Sequence, residues 1–199
     1  MFLKILAHPI LNNLSFHMPM IVDLSHPLIL LTGENGCGKS TLLHSLYQAF
    51  KGEEIQHYKY RANIPEIESK KVFLFDAEQH NPRNHPEFFE GDEQMREFVE
   101  MASHGQVMLS MFEQSFPSLP DGTVLLLDEP EMALSVSNQR RILKMLKELV
   151  DEKKMRIIAA THSPVLIDNP ETYVINLDNY INRNELRTDM AVPGQSTIH

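Results

Sequence analysis

Residues 33 to 40 read Gly-Glu-Asn-Gly-Cys-Gly-Lys-Ser, the pattern G-x-x-x-x-G-K-[ST], lying between the apolar run Leu28 to Thr32 and a helix-length stretch that opens at Lys39. No other feature limits the possible folds as much. A strand that enters such a loop and leaves it as a helix needs glycines, because successive backbone N–H groups must turn inward around a phosphate with no Cβ in the way. The helix N-terminus adds its partial positive charge. The pattern makes Gly33, Glu34, Asn35, Gly36, Cys37 and Gly38 the cradle, brings Lys39 to the β- and γ-phosphates, gives Ser40 Oγ to Mg2+ and sets Thr41 against the α-phosphate. Chance yields such a match in roughly one chain in a hundred or fewer of this length, and the flanking strand and helix make chance a poor account.

Apolar, β-branched runs bounded by turn residues recur at Phe2 to Leu6, Leu28 to Thr32, Val72 to Phe75, Val124 to Leu127, Ile157 to Ala160 and Tyr173 to Leu177, and they read as strands. Helix-length patterns fall between them: Lys39 to Phe50, Glu93 to Phe116 in two pieces, and Ala133 to Val150 with its stripe Leu134, Ile142, Met145, Leu146 and Leu149. The alternation predicts an α/β fold with a mainly parallel central sheet and helices on both faces. Together with the phosphate loop, the fold class expected is the P-loop type, with antiparallel N-terminal strands and a small helical lobe. Residues 51–70 and 76–94 are polar and weakly periodic, and read as excursions at one end of the sheet. One domain is expected over residues 1–199, with the lobe near 80–117 and a tail from about 179 to 199.

The run Val124 to Leu127 ends in Asp128-Glu129-Pro130. A buried strand that delivers two acids at its carboxyl end places them beside the phosphate loop, in the crevice where open α/β sheets bind ligands. Asp128 is the expected magnesium holder, directly or through water. Glu129 is expected to act on the attacking water, as a general base or by positioning it. A lone acidic pair before a proline turn is common, but not beside a complete phosphate loop. The run Ile157 to Ala160 continues into Thr161-His162-Ser163-Pro164, and His162 is placed to bond the γ-phosphate. A single strand-end histidine is more often structural; its position as the third member of this ordered set favours the catalytic role.

The remaining composition narrows the classes. Of 199 residues 42% are hydrophobic and 23% charged, with no apolar run approaching the roughly 18 residues of a spanning helix. The N-terminal segment is broken at His8-Pro9 and too short for a secretory h-region, and Cys37 is the only cysteine, so a cytoplasmic location is expected. A formal charge of -9 tells against a large basic nucleic-acid footprint. Cys37 itself allows two readings: a thiolate favoured by loop N–H groups and Lys39, or a small hydrophobe turned into the core.

Taken in order, GENGCGKST, LLLDEP and ATHSP resemble the ATP-binding-cassette superfamily from about Leu28 to Asp178. DEPEMAL, in place of the transporters' DEPTSALD, is similar to the soluble predicted-ATPase branch allied to the SMC-like and OLD-like families. The resemblance implies ATP and Mg2+ as cofactors and a homodimer closed through ATP. It makes Ser103, His104, Gly105 and Gln106 a reduced signature that caps the γ-phosphate of the opposite protomer. Read without the family, Ser103 is an N-cap before an apolar helix. The family's Q-loop glutamine, a further magnesium contact, best matches Gln79, with Glu78 as its rival. Departures are Ala102 before the signature serine and Ser135 at the end of the D-loop. Phe16 is the nearest aromatic to an adenine stacker, although a core role suits it better. The span between Lys39 and Ser103 is too short for a long coiled coil. The leading expectation is a soluble ATPase switch acting on an unidentified effector, in DNA maintenance or defence; the alternative is the ATP-binding subunit of a membrane transporter.

Overall fold

The computed structural model describes residues 2–5, 20–23, 25–51, 71–80 and 93–180. The elements run β1 (Phe2–Ile5), β2 (Met20–Asp23), β3 (Leu28–Thr32), α1 (Lys39–Lys51), β4 (Val72–Asp76), α2 (Glu93–Met101), α3 (His104–Ser115), β5 (Val124–Asp128), α4 (Val136–Lys153), β6 (Arg156–Ala160), α5 (Pro164–Ile167) and β7 (Tyr173–Asn176). β1 and β2 form an antiparallel pair, and β2 is a strand that the sequence reading did not single out. The other strands make a five-stranded parallel sheet in the order β4-β5-β6-β3-β7. Phe16, residues 81–92 of the expected lobe, most of the first polar excursion and all of the tail beyond 180 lie outside the described residues.

Strand alternation divides the core into two layers. Ile29 and Leu31 of β3, Leu126 of β5 and Ile158 of β6 pack against Leu42, Leu43 and Leu46 of α1. Leu28, Leu30, Leu125, Leu127 and Ile157 point the other way, onto Met108 and Phe112 of α3 and Ile142 and Leu146 of α4. Burying each of these leucines contributes about 1.5–3 kcal/mol, which makes the sheet centre the rigid base from which every site loop departs. A T-shaped contact between Phe75 and Phe112, with centroids 4.8 Å apart, joins β4 to α3.

Helix starts are set by local polar chemistry. α4 begins at Val136 rather than Ala133, because Ala133 is left-handed at φ 61° and Ser135 caps the helix by accepting from Asn138 N at 3.3 Å. Leu134 is therefore buried from a turn, not from the helical stripe. β7 stops at Asn176, whose side chain accepts from Asp178 N and starts a short 3-10 turn.

Candidate active site

The phosphate loop leaves the buried end of β3 and enters α1, where Leu42 N donates to Gly38 O at 2.9 Å. Gly33 takes φ 140°, and a Cβ there would lie 2.7 Å from Cys37 Sγ, so only glycine fits. Lys39 curls back over the loop, its Nζ donating to Gly33 O at 3.1 Å and Glu34 O at 3.2 Å. Glu34 N is held from the far side by Asp178 Oδ2 at 3.0 Å. Cys37 is 4% exposed, with Sγ 3.9 Å from Lys39 Nζ; of its two readings, this is the buried one.

β4 and β5 pair so that Asp76 lies opposite Asp128, two buried carboxylates side by side at the carboxyl edge of the sheet. Ser40 Oγ donates to Asp128 Oδ1 at 3.1 Å, joining the first turn of α1 to the end of β5. Burial pushes the Asp128 carboxyl up to about 6; the Ser40 bond and His44 pull against this, while Asp76 and Glu129 add to it. Glu129 turns the chain with φ 48°, its N–H tied to Ala160 O at 2.9 Å, and its carboxylate emerges half-buried. His162 Nε2 stands 4.0 Å from Glu129 Oε1.

Ser40, Thr41, Gln79, Asp128 and Glu129 thus meet on one open cleft of about 440 Å³. Glu78, the rival to Gln79, lines it too, and the backbone N–H groups of both donate to Asp76 Oδ1 at 2.9 Å. The cleft wall also holds His44 and Asp76, which sequence reasoning missed. Two signals were available: His44 sits one helical turn after Ser40, and Asp76 closes an apolar strand as Asp128 does. A third omission is Glu131, whose Oε1 accepts from His162 N at 2.6 Å and anchors the loop after β6.

The signature residues are not among those described as lining this cleft. Ser103 and Gln106 form a reciprocal capping box at the start of α3, with Ser103 N donating to Gln106 Oε1 at 2.8 Å. Gly105 is buried so closely that a Cβ would meet Ala133 O at 2.4 Å, so α3 rests directly on the turn that follows Glu129. His104 Nε2 is buried, with no hydrogen-bond partner among the described residues.

Comparison with known proteins bears on the family and the fold. Residues 10–105 match a family model described as "AAA domain", and residues 114–168 match one described as "AAA domain, putative AbiEii toxin, Type IV TA system". The molybdate import ATP-binding protein MolC of Haemophilus influenzae is 28% identical over 186 residues, covering 77% of this chain and 69% of that protein. A Pyrococcus furiosus protein described as a "putative ABC transporter (ATP-binding protein)" has the same fold, with a TM-score of 0.55 at 17% identity over 92% of this chain and all of that one. The chain is a P-loop ATPase of the ATP-binding-cassette superfamily. The ATPase also shares its fold with a cassette solved as a dimer in a post-hydrolysis state with ADP and Pi, at TM-score 0.50 and 15% identity, over 82% of this chain and 88% of that one. It binds and hydrolyses ATP. Among its described residues no helix is long and apolar enough to cross a membrane.

Proposed function

We propose that this ATPase is a Mg2+-dependent switch in which two copies close on ATP and pass the hydrolytic cycle to an effector protein. The observation that carries the reading is the convergence of Ser40, Asp128, Glu129 and His162, three structural elements meeting at one edge of the sheet. Ser40 and Asp128 are hard oxygen donors already in contact at 3.1 Å, and Gln79 offers a third from the cleft wall, a set suited to Mg2+. Bound there, Mg2+ would neutralise charge on the phosphate oxygens. Lys39 exchanges its loop carbonyls for β- and γ-phosphate oxygens, as Gly36 and Gly38 turn the loop N–H groups inward and Thr41 contacts the α-phosphate. Glu129 orients the attacking water and accepts its proton, and His162 donates to the γ-phosphate.

Closure by a second copy is part of the proposal because Ser103, His104, Gly105 and Gln106 lie on α3, outside the cleft of their own chain. The contact of Gly105 with the Ala133 turn supports it, since a partner seated on Ser103 would press on the segment that follows Glu129. The family match to an AAA domain of the Type IV TA system favours a defence role in the cytoplasm over general DNA maintenance, for which the charge of -9 is a poor footprint. The likeness to MolC favours a second reading, the ATP-binding subunit of a membrane importer.

Glu129→Gln is the deciding experiment. The variant keeps the shape of the side chain but cannot take the proton, so it should bind Mg-ATP, lose at least about a hundredfold in turnover and accumulate as a dimer on sizing chromatography. A variant that stays monomeric with Mg-ATP, while the wild type hydrolyses normally, overturns the two-copy switch. Capturing partners on the trapped dimer then separates the readings, a soluble effector supporting the switch and a membrane protein the importer.

A further inference from the structure

The wall of the cleft holds two groups that the hydrolysis proposed above does not use, His44 and Asp76, and both stand beside one that it does, Asp128. His44 projects from α1, one turn beyond Ser40, and its Nε2 lies 3.5 Å from Asp76 Oδ2 and 3.9 Å from Asp128 Oδ2. Both separations exceed the 2.7–3.2 Å of an N–H to oxygen hydrogen bond. They are close to the spacing of donor atoms around a small cation: bonds of about 2.0–2.1 Å at tetrahedral angles set neighbouring donors about 3.4 Å apart. One donor atom from each of the three residues lies within 4.8 Å of the other two.

The division of labour within each carboxylate points the same way. Asp76 Oδ1 is taken up by the N–H groups of Glu78 and Gln79, both at 2.9 Å, which leaves Oδ2 facing His44. Asp128 Oδ1 is taken up by Ser40 Oγ, and again Oδ2 faces His44. The parallel register of β4 and β5 fixes the two carboxylates beside each other, and Asp76 and Asp128 are 8% and 6% exposed. Two buried acids on a rigid sheet, each with one oxygen held and the other turned toward a common imidazole, form a preorganised N,O,O donor set with an open side on the cleft.

We propose that His44 Nε2, Asp76 Oδ2 and Asp128 Oδ2 bind a divalent transition-metal cation at a site separate from that of the nucleotide magnesium. The imidazole selects it: nitrogen ligands suit Zn2+, Co2+ and their neighbours, whereas Mg2+ takes oxygen and keeps its water. Asp128 belongs to both sites through different oxygens. A cation held on Oδ2 draws charge from the carboxylate whose Oδ1 meets Ser40, so its occupancy brakes ATP turnover.

The site does not require nucleotide, and its test begins without any. Zn2+ binding to the nucleotide-free full chain is followed by competition with a chromophoric chelator, with His44→Gln and Asp76→Asn as variants and thermal unfolding as the check that both are folded. Because the chain has ten histidines, the decisive quantity is the difference from wild type. The expected result is one high-affinity Zn2+ per wild-type chain, weakened at least about tenfold in each variant and retained when Ser40 is changed to Ala. Millimolar Mg2+ should not displace it. Mg-ATP binding by His44→Gln should match wild type, and its turnover should resist Zn2+ concentrations that inhibit wild type. Equal Zn2+ affinity in wild type and both folded variants overturns the proposal and leaves an ordinary ion pair; loss of Mg-ATP binding in wild type would instead overturn the nucleotide reading alone.

Discussion

Asp128→Asn separates what the cleft costs the fold from what it contributes to chemistry. The Asp128 carboxyl is raised from 3.8 to about 6, with burial as the leading cause. At about 1.4 kcal/mol for each tenfold change in proton affinity, the ionised side chain opposes folding by about 3 kcal/mol at neutral pH. The sign follows from linkage: the folded state holds this proton more tightly than the unfolded chain, so the stability involved is present below the unfolded pKa of 3.8 and is lost as the pH rises through about 6. Asn has nearly the shape of the neutral acid, and its oxygen still accepts from Ser40 Oγ. Urea unfolding in EDTA, followed by circular dichroism from about pH 4 to about pH 8, should show variant and wild type together at the acid end. The gap should widen to about 3 kcal/mol in favour of the variant above pH 7, a midpoint shift of about 1–2 M. Hydrolysis should be lost in the same protein. A gap that is absent at every pH, or equally large at every pH, refutes the argument that ionising Asp128 in this buried place is what destabilises the fold.

Gly105→Ala forces a Cβ to within 2.4 Å of Ala133 O, so it should destabilise the fold by about 1–3 kcal/mol and depress turnover by shifting the turn after Glu129; an unchanged melting temperature refutes the close contact. Glu131→Gln removes the charge from the group that holds His162 N at 2.6 Å. A weakening of about 1.4 kcal/mol should appear as a roughly tenfold fall in kcat with KM for ATP nearly constant, and an unaltered kcat would show that Glu131 does not position His162. Cys37 is 4% exposed, so native protein should react with a thiol reagent far more slowly than the urea-unfolded chain, and rapid native labelling would put the thiol outside the core.

The parts legible in the sequence share one property: each is written in consecutive residues. The glycine loop, the apolar run that ends in Asp128 and Glu129, and the capping serine of α3 announce themselves because strand, turn and cap are local structures governed by near neighbours. Alternating apolar runs sufficed for a parallel sheet with helices on both faces, since both faces of such a sheet must be buried. The turn at residues 133–135 was misread as helix because Leu134 matches the helical stripe. Its burial comes from the body of the protein, whereas the left-handed Ala133 and the cap at Ser135 place it outside α4.

By itself, then, the sequence determined the class of fold, the phosphate loop and the identity of the acids at the end of β5. Tertiary structure alone decided which distant groups share the cleft. Asp76 becomes the neighbour of Asp128 only through the register of β4 on β5, and Glu131 meets His162 N only because the loops after β5 and β6 leave the same edge of the sheet. His44 joins both acids because α1 crosses the face that carries them. The physical reason is that pairing of parallel strands connects residues far apart in the chain, and its order, β4-β5-β6-β3-β7, is selected by packing of whole layers rather than by any local preference.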